Sequence, residues 1–124
     1  MPGSTPRRYK VSNRTRGTLL AESARLANNP LTRAVGLMFR KSLPPGGGLI
    51  IRPCNAVVCF FMRFPIDVIF VDEDGAVRYI IPAMRPWRVS RFVRGAKSVI
   101  ELPAGAAAAA QTCDGDLLVV EEVG

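Results

Sequence analysis

The chain has 124 residues, 48% hydrophobic and 22% charged, which suits one globular domain and excludes both wholesale disorder and two ordinary domains. Seventeen Lys and Arg against ten Asp and Glu leave a net charge of +7, and there is no histidine. The missing imidazole removes Ser-His and Cys-His dyads, His-ligated metal sites and any histidine pH switch.

The N-terminus, MPGSTPRRYK, has basic residues but no apolar stretch behind them, so it does not read as a secretory signal. Arg7, Arg8, Lys10, Arg14 and Arg16 occur without an acid and beside Pro and Ser. They predict a basic flexible arm over residues 1–14, ahead of a single compact domain over residues 15–124. Thr18 to Ala21 and Ser23 to Ala27 predict an opening hairpin. Asn29 as N-cap, Pro30 at the first helical position and Gly36 as terminator predict a short helix from Asn29 to Val35. Such a helix is too short to hold alone and must pack Leu31, Ala34 and Val35 on a sheet.

Pro44, Pro45 and the triplet Gly46-Gly47-Gly48 predict a turn before a strand from Leu49 to Ile51. Three glycines can cradle a phosphate, but the Lys-Ser or Lys-Thr of a phosphate loop does not follow. Val57 to Met62 and Ile66 to Val71 read as buried strands separated at Pro65. Asp72-Glu73-Asp74-Gly75 reads as a hairpin turn into a strand from Ala76 to Met84. Ser98 to Leu102 and Leu117 to Val120 complete the strands, while Ala106 to Ala110 favours helix by composition but is too short to form one unaided. The sum is a β-rich α+β fold: a small, mostly antiparallel, partly closed barrel-like sheet of about six to seven strands with one short helix.

No apolar run is long enough to span a membrane, and three cysteines, an odd number, predict free thiols in the cytoplasm. Cys54 and Cys59, five apart, face opposite ways on a regular strand, and with Cys113 they lack both a histidine and a tight Cys-x-x-Cys spacing. They read as small buried hydrophobes, with no metal and no cofactor expected. Arg63 and Asp67 interrupt the apolar run from Val57 to Val71. A charge there must be paired, lie at a strand end or face a pocket. Arg63 as an anion anchor with Asp67 as acceptor or base is one reading; a structural ion pair, or Asp67 bonded to backbone amides, is the other. Arg85, Arg88, Arg91, Arg94 and Lys97 recur every three residues around Trp87, which favours an extended loop, either a ligand lid or a cover over one end of the barrel. Phe60, Phe61, Phe64 and Phe70 sit in apolar segments and read as core rather than as a stacking platform.

Beyond Thr112 the sign of the charge reverses, with Asp114, Asp116, Glu121 and Glu122 and no Lys or Arg. The positive charge is therefore local to the arm and the loop region. A patch of this kind attracts nucleic acid, anionic lipid or an acidic small molecule, or simply solubilises the surface.

Six segments taken together resemble domain-of-unknown-function family 192. They are Arg33-Ala34-Val35-Gly36-Leu37-Met38, Gly48-Leu49, Phe61-Met62-Arg63-Phe64-Pro65-Ile66-Asp67-Val68, Pro86-Trp87-Arg88, Val99-Ile100-Glu101-Leu102-Pro103-Ala104-Gly105 and Gly115-Asp116. The resemblance implies a small β-rich single domain, and the family name carries no biochemical function. Relatives of this type often read Cys-x-Ser-Val-His-Thr-Phe-Phe-Met where this chain has Cys54-Asn55-Ala56-Val57-Val58-Cys59-Phe60-Phe61-Met62. Val58 thus stands at the histidine position, and any chemical role of that imidazole is lost here.

These readings converge on a binding module with a pocket near Phe61 to Asp67 and Pro86 to Arg94. Met62, Arg63, Asp67, Trp87 and Arg88 are the expected binding residues, and a small anionic or sugar-like (polyhydroxylated) molecule is the expected ligand. No membrane partner is expected, and the oligomeric state is left open with a monomer as the default. The alternatives are a hydrolase-like enzyme using Asp67 or Glu101 as its carboxylate, with Asp67 the candidate catalytic residue, and a nucleic-acid-binding protein using the arm and the loop.

Overall fold

The computed structural model describes residues 7–29, 32–33, 36–37, 40–60 and 62–123. Its elements are β1 (Arg8–Asn13), β2 (Thr18–Ala27), β3 (Gly47–Ile51), β4 (Ile66–Val71), β5 (Val77–Met84), β6 (Ser98–Pro103), α1 (Ala106–Ala109) and β7 (Leu118–Val123). The strands form one seven-stranded sheet in the order β5-β4-β6-β3-β2-β1-β7. Every neighbouring pair is antiparallel except β2 and β3. The sheet does not close into a barrel. Its edge strands approach at one corner, where Ala76 bridges Leu117 and Val77 N donates to Asp116 O at 2.9 Å.

The Asp-Gly turn forms the β4–β5 hairpin as expected: Gly75 N donates to Asp72 O at 3.1 Å, and Asp72 Oδ1 accepts from Asp74 N and Ala76 N at 2.9 Å. Asn29 caps its turn through Oδ1, which accepts from Thr32 N at 2.9 Å, and Gly36 adopts the left-handed backbone at φ 51°. The rest of the expected helix, Pro30, Leu31, Ala34 and Val35, lies outside the described residues.

Three expectations are corrected. Arg8–Asn13 is not part of an arm but an inner strand between β2 and β7. Its basic residues register against the acidic end of β7, with Lys10 opposite Glu121 and their charged groups 3.9 Å apart. The charge asymmetry of the sequence is thus a cross-strand complement. Thr18–Ala27 is one strand rather than a hairpin. β2 pairs with β1 from Thr18 to Ala24 and with β3 from Ser23 to Ala27, so Ala24 lies between Tyr9 and Gly48. Val57 to Met62 is not a regular strand; it touches the 87–93 loop through the isolated bridge Val58–Val89. Its buried residues Val57, Cys59 and Met62 join the apolar cluster of Ile66, Val68 and Phe70.

β4 and β6 lie side by side inside the sheet, and β4 is buried along its whole length. Alternation sends Ile66, Val68, Phe70 and Val99 to one apolar cluster, and Ile69, Val71, Ile100 and Leu102 to the other. Asp67 faces the second cluster opposite Leu102, and Glu101 faces the first opposite Val68. The two buried carboxylates therefore point away from each other.

Asp67 is fully used. Its Oδ1 accepts from Ala83 N at 2.9 Å, and its Oδ2 accepts from Gly105 N at 3.0 Å and Ala107 N at 2.9 Å. These bonds tie β5 and the start of α1 to β4 and let a four-residue helix persist that cannot stand alone. Asp116 plays a similar part at the other end: its Oδ2 accepts from Asn13 Nδ2 and Cys113 N at 2.9 Å and from Arg16 Nε at 3.1 Å. Its carboxyl is held below the usual range, first by the bond from Asn13. Asp67→Ala leaves three amide donors without their acceptor and should cost about 2–4 kcal/mol in urea unfolding. Loss of less than about 1 kcal/mol would show that water replaces the carboxylate freely.

Candidate functional site

A parallel pair cannot be joined by a tight turn, so the chain between β2 and β3 must cross a face of the sheet. That crossover, residues 28–46, places Arg33, Gly36 and Leu37 over the face that carries Glu101. On the other side, Pro53 to Val58 leaves the end of β3, and Met62 follows it into the core. Between these walls lies a cleft of about 440 Å³ with Glu101 among its lining residues.

Glu101 is only 4% exposed, and no hydrogen-bond partner for its carboxyl is found among the described residues. Burial pushes the carboxyl up to about 7. At neutral pH it is divided between acid and carboxylate, so it can donate or accept a hydrogen bond and can exchange a proton. Arg33 stands at the wall, with one terminal nitrogen donating to Pro53 O at 3.0 Å and its buried Nε lacking a partner among the described residues. The Cys54 thiol donates to Ala56 O at 3.1 Å, and burial raises it. Cys59, deeper, is pushed up to about 11 by burial and by the nearby Glu101. Both are thiols, not thiolates, at neutral pH. No group of three or more His, Cys, Asp or Glu among the described residues is arranged to hold a metal ion.

The residues expected to form one pocket separate. Met62 does line the cleft beside Glu101. Arg63 is exposed, and no ion pair with Asp67 is found among the described residues. Asp67 lies on the opposite face of the sheet with both oxygens committed, so the reading in which it bonds backbone amides holds and its candidacy as a catalytic base does not. Trp87 and Arg88 are exposed on the loop, where the Trp87 ring lies 5.8 Å from Phe60 and the guanidinium stack is instead Arg91 over Tyr79 at 4.4 Å. Arg33 was visible only as part of a motif, because nothing in its local sequence signals that a distant strand end will cover it. Glu101 had a clearer signal, a single carboxylate inside an apolar strand.

A profile of the DUF192 family, described as Uncharacterized ACR, matches residues 11–120. The chain belongs to the DUF192 family. A UPF0127 protein of Pyrococcus abyssi is 37% identical over 101 residues, covering 77% of this chain and 83% of that one. A second, from Pyrococcus furiosus, is 34% identical over 86% of this chain and 93% of its own. A crystal structure of a protein of unknown function from Novosphingobium aromaticivorans superposes with a TM-score of 0.79 at 26% identity, covering 96% of this chain and 89% of that one.

Three of the six motif segments of this DUF192 chain meet at the cleft, through Arg33 with Gly36 and Leu37, Met62, and Glu101. Val58, at the position where the family pattern carries histidine, lines it as well. A roomier cleft of about 550 Å³ lies across Gly36, but its arginines, Arg7, Arg25 and Arg40, are exposed and it holds no buried charge.

An acid raised in the folded state binds its proton more tightly there than in the unfolded chain. Its contribution is therefore complete below the ordinary value of 4.5 and is lost as pH rises through about 7. Urea unfolding should show a loss of about 3 kcal/mol across that interval, absent in Glu101→Gln. An unchanged pH profile in the variant would remove Glu101 as the source. Thiol labelling offers a second check: exposed Cys113 should react with a disulfide reagent well before buried Cys59, with half-buried Cys54 between them, and equal rates for Cys113 and Cys59 would contradict the burial of Cys59.

Proposed function

We propose that this DUF192 domain binds a small anionic or polyhydroxylated molecule in the Glu101 cleft. The observation that carries the reading is a buried carboxyl for which the described residues supply no hydrogen bond, in a cleft walled by an arginine whose buried Nε is unmatched among those residues. Buried polar groups are normally satisfied, and a ligand hydroxyl at Glu101 with an anionic group at Arg33 would complete both. Leu37, Val57 and Met62 supply the apolar wall that most small-molecule sites have. The three free thiols support a reducing, cytoplasmic setting.

A second reading is favoured by one specific observation, the Glu101 carboxyl poised near 7. In that reading Glu101 is the general acid or base of a hydrolase-like reaction, doing the work that an imidazole does elsewhere. Asp67 has no part in it.

A thermal-shift screen of sugar phosphates, sugar acids and dicarboxylates separates the two. A ligand at a hundred times its dissociation constant stabilises the fold by about 2.7 kcal/mol. Arg33→Ala should abolish the shift for anionic hits, and Glu101→Gln should weaken it for hydroxylated ones. Hits that stabilise wild type and both variants equally lie elsewhere. Turnover of a hit, with a pH profile breaking near 7 that Glu101→Gln removes, favours the enzyme.

A further inference from the structure

Residues 55–60 and 87–93 run side by side as an irregular antiparallel ribbon. Ser90 N donates to Val57 O at 2.7 Å, Cys59 N donates to Arg88 O at 2.8 Å, and Trp87 N donates to Cys59 O at 2.6 Å. Val58 bridges Val89. Alternation turns Val57 and Cys59 into the core and leaves Val58 and Phe60 on the outer face, beside Val89 and Trp87. Those four are 50, 40, 60 and 57% exposed, and Phe92, further along, is 65% exposed. Five of the eight large apolar side chains exposed among the described residues are therefore gathered on this ribbon. Scattered exposed hydrophobics need no explanation; a contiguous patch does. Trp87 is moreover held in the left-handed region at φ 66°, a conformation that bulky residues rarely adopt and that concentrates at functional sites.

Arg85, Arg88 and Arg91 flank the ridge in sequence, all three are exposed, and residues 75–100 contain no Asp or Glu. Arg52 and Lys97 share a cleft with Asp72, Glu73 and Asp74, and Arg78, Arg91 and Arg94 share one with Asp114. The patch thus presents an apolar ridge beside exposed arginines, which calls for a partner that is anionic on its surface and apolar just beneath. Nucleic acid meets the first requirement and has bases to stack on Phe60, Trp87 and Phe92, but it offers no apolar layer to take up Val58 and Val89. A bilayer with acidic headgroups meets both: tryptophan and phenylalanine settle at the headgroup boundary, and cations pair with the phosphates above it.

We propose that the ribbon of Val58, Phe60, Trp87 and Val89 docks the protein on an anionic phospholipid surface. The contact is peripheral, since no helix among the described residues is long and apolar enough to cross a membrane. A lipid surface, set aside at the level of sequence because no span is present, is reached instead through side chains that the fold turns outward.

Trp87 is the only tryptophan in the chain, so its emission reports directly on the ribbon. The protein should co-sediment with vesicles of mixed phosphatidylglycerol and phosphatidylcholine at low salt, with a blue shift of emission. Binding should fall at least about tenfold with phosphatidylcholine alone or at high salt. Val89→Glu and Phe92→Ser should each weaken it by about tenfold, with thermal midpoints unchanged because both side chains are exposed. Free glycerol phosphate should produce no shift. The proposal fails if anionic vesicles neither sediment the protein nor shift its emission, or if both variants bind like wild type. It also fails if glycerol phosphate alone reproduces the shift, or if a single-stranded RNA or an acidic peptide binds more tightly than the vesicles.

Discussion

Asp67 holds together parts of the chain that are far apart in sequence. One carboxylate on β4 accepts backbone hydrogens from β5 and from both sides of the α1 start, at distances of 2.9–3.0 Å. A carboxyl group inside an apolar cluster is tolerable only when its lone pairs are met, and here they are met by amides that otherwise would be orphaned. The arrangement fixes the bulged end of β5, where Ala83 takes a positive φ of 47°, and anchors the residues that follow β6. With that end of the sheet pinned, β6 runs between β4 and β3 and carries Glu101 to the opposite face.

The two buried carboxylates illustrate how the same residue chemistry divides into structure and function. Both sit in strands that are apolar along their length, one register step apart across the β4–β6 ladder. Alternation alone sends them to opposite faces. Asp67 meets three amide donors and becomes a fastener; Glu101 meets none among the described residues, and burial raises its carboxyl to about 7. What distinguishes them is the loops that cover each face. The α1 turn arrives over Asp67 with free N–H groups, whereas Arg33, Leu37 and the 53–58 segment arrive over Glu101 with a guanidinium, one thiol and apolar side chains.

The 55–60 and 87–93 loops serve two surfaces at once. Their inward residues, Val57 and Cys59, close the core beside the Glu101 cleft, and their outward residues form the exposed ridge. A ribbon held mainly by backbone bonds to its partner loop can carry different chemistry on each side, because alternation separates the two sets of side chains.

The local devices are set within short stretches of the chain. The Asp-Gly hairpin, the Asn29 cap, the left-handed Gly36, the β4 strand and the requirement that Arg63, Asp67 and Glu101 be accounted for follow from backbone preference and the cost of buried charge, which act within a few residues. The motifs resembling DUF192 were legible in the same way, as short segments in order. Tertiary structure alone decided their grouping. It paired the basic N-terminal segment with the acidic C-terminal strand, sent Asp67 and Glu101 to opposite faces, brought Arg33 to the cleft and left Phe60 and Trp87 outside. Period-two alternation fixes only that neighbouring residues face opposite ways; which way is inside depends on what the rest of the chain lays over each face.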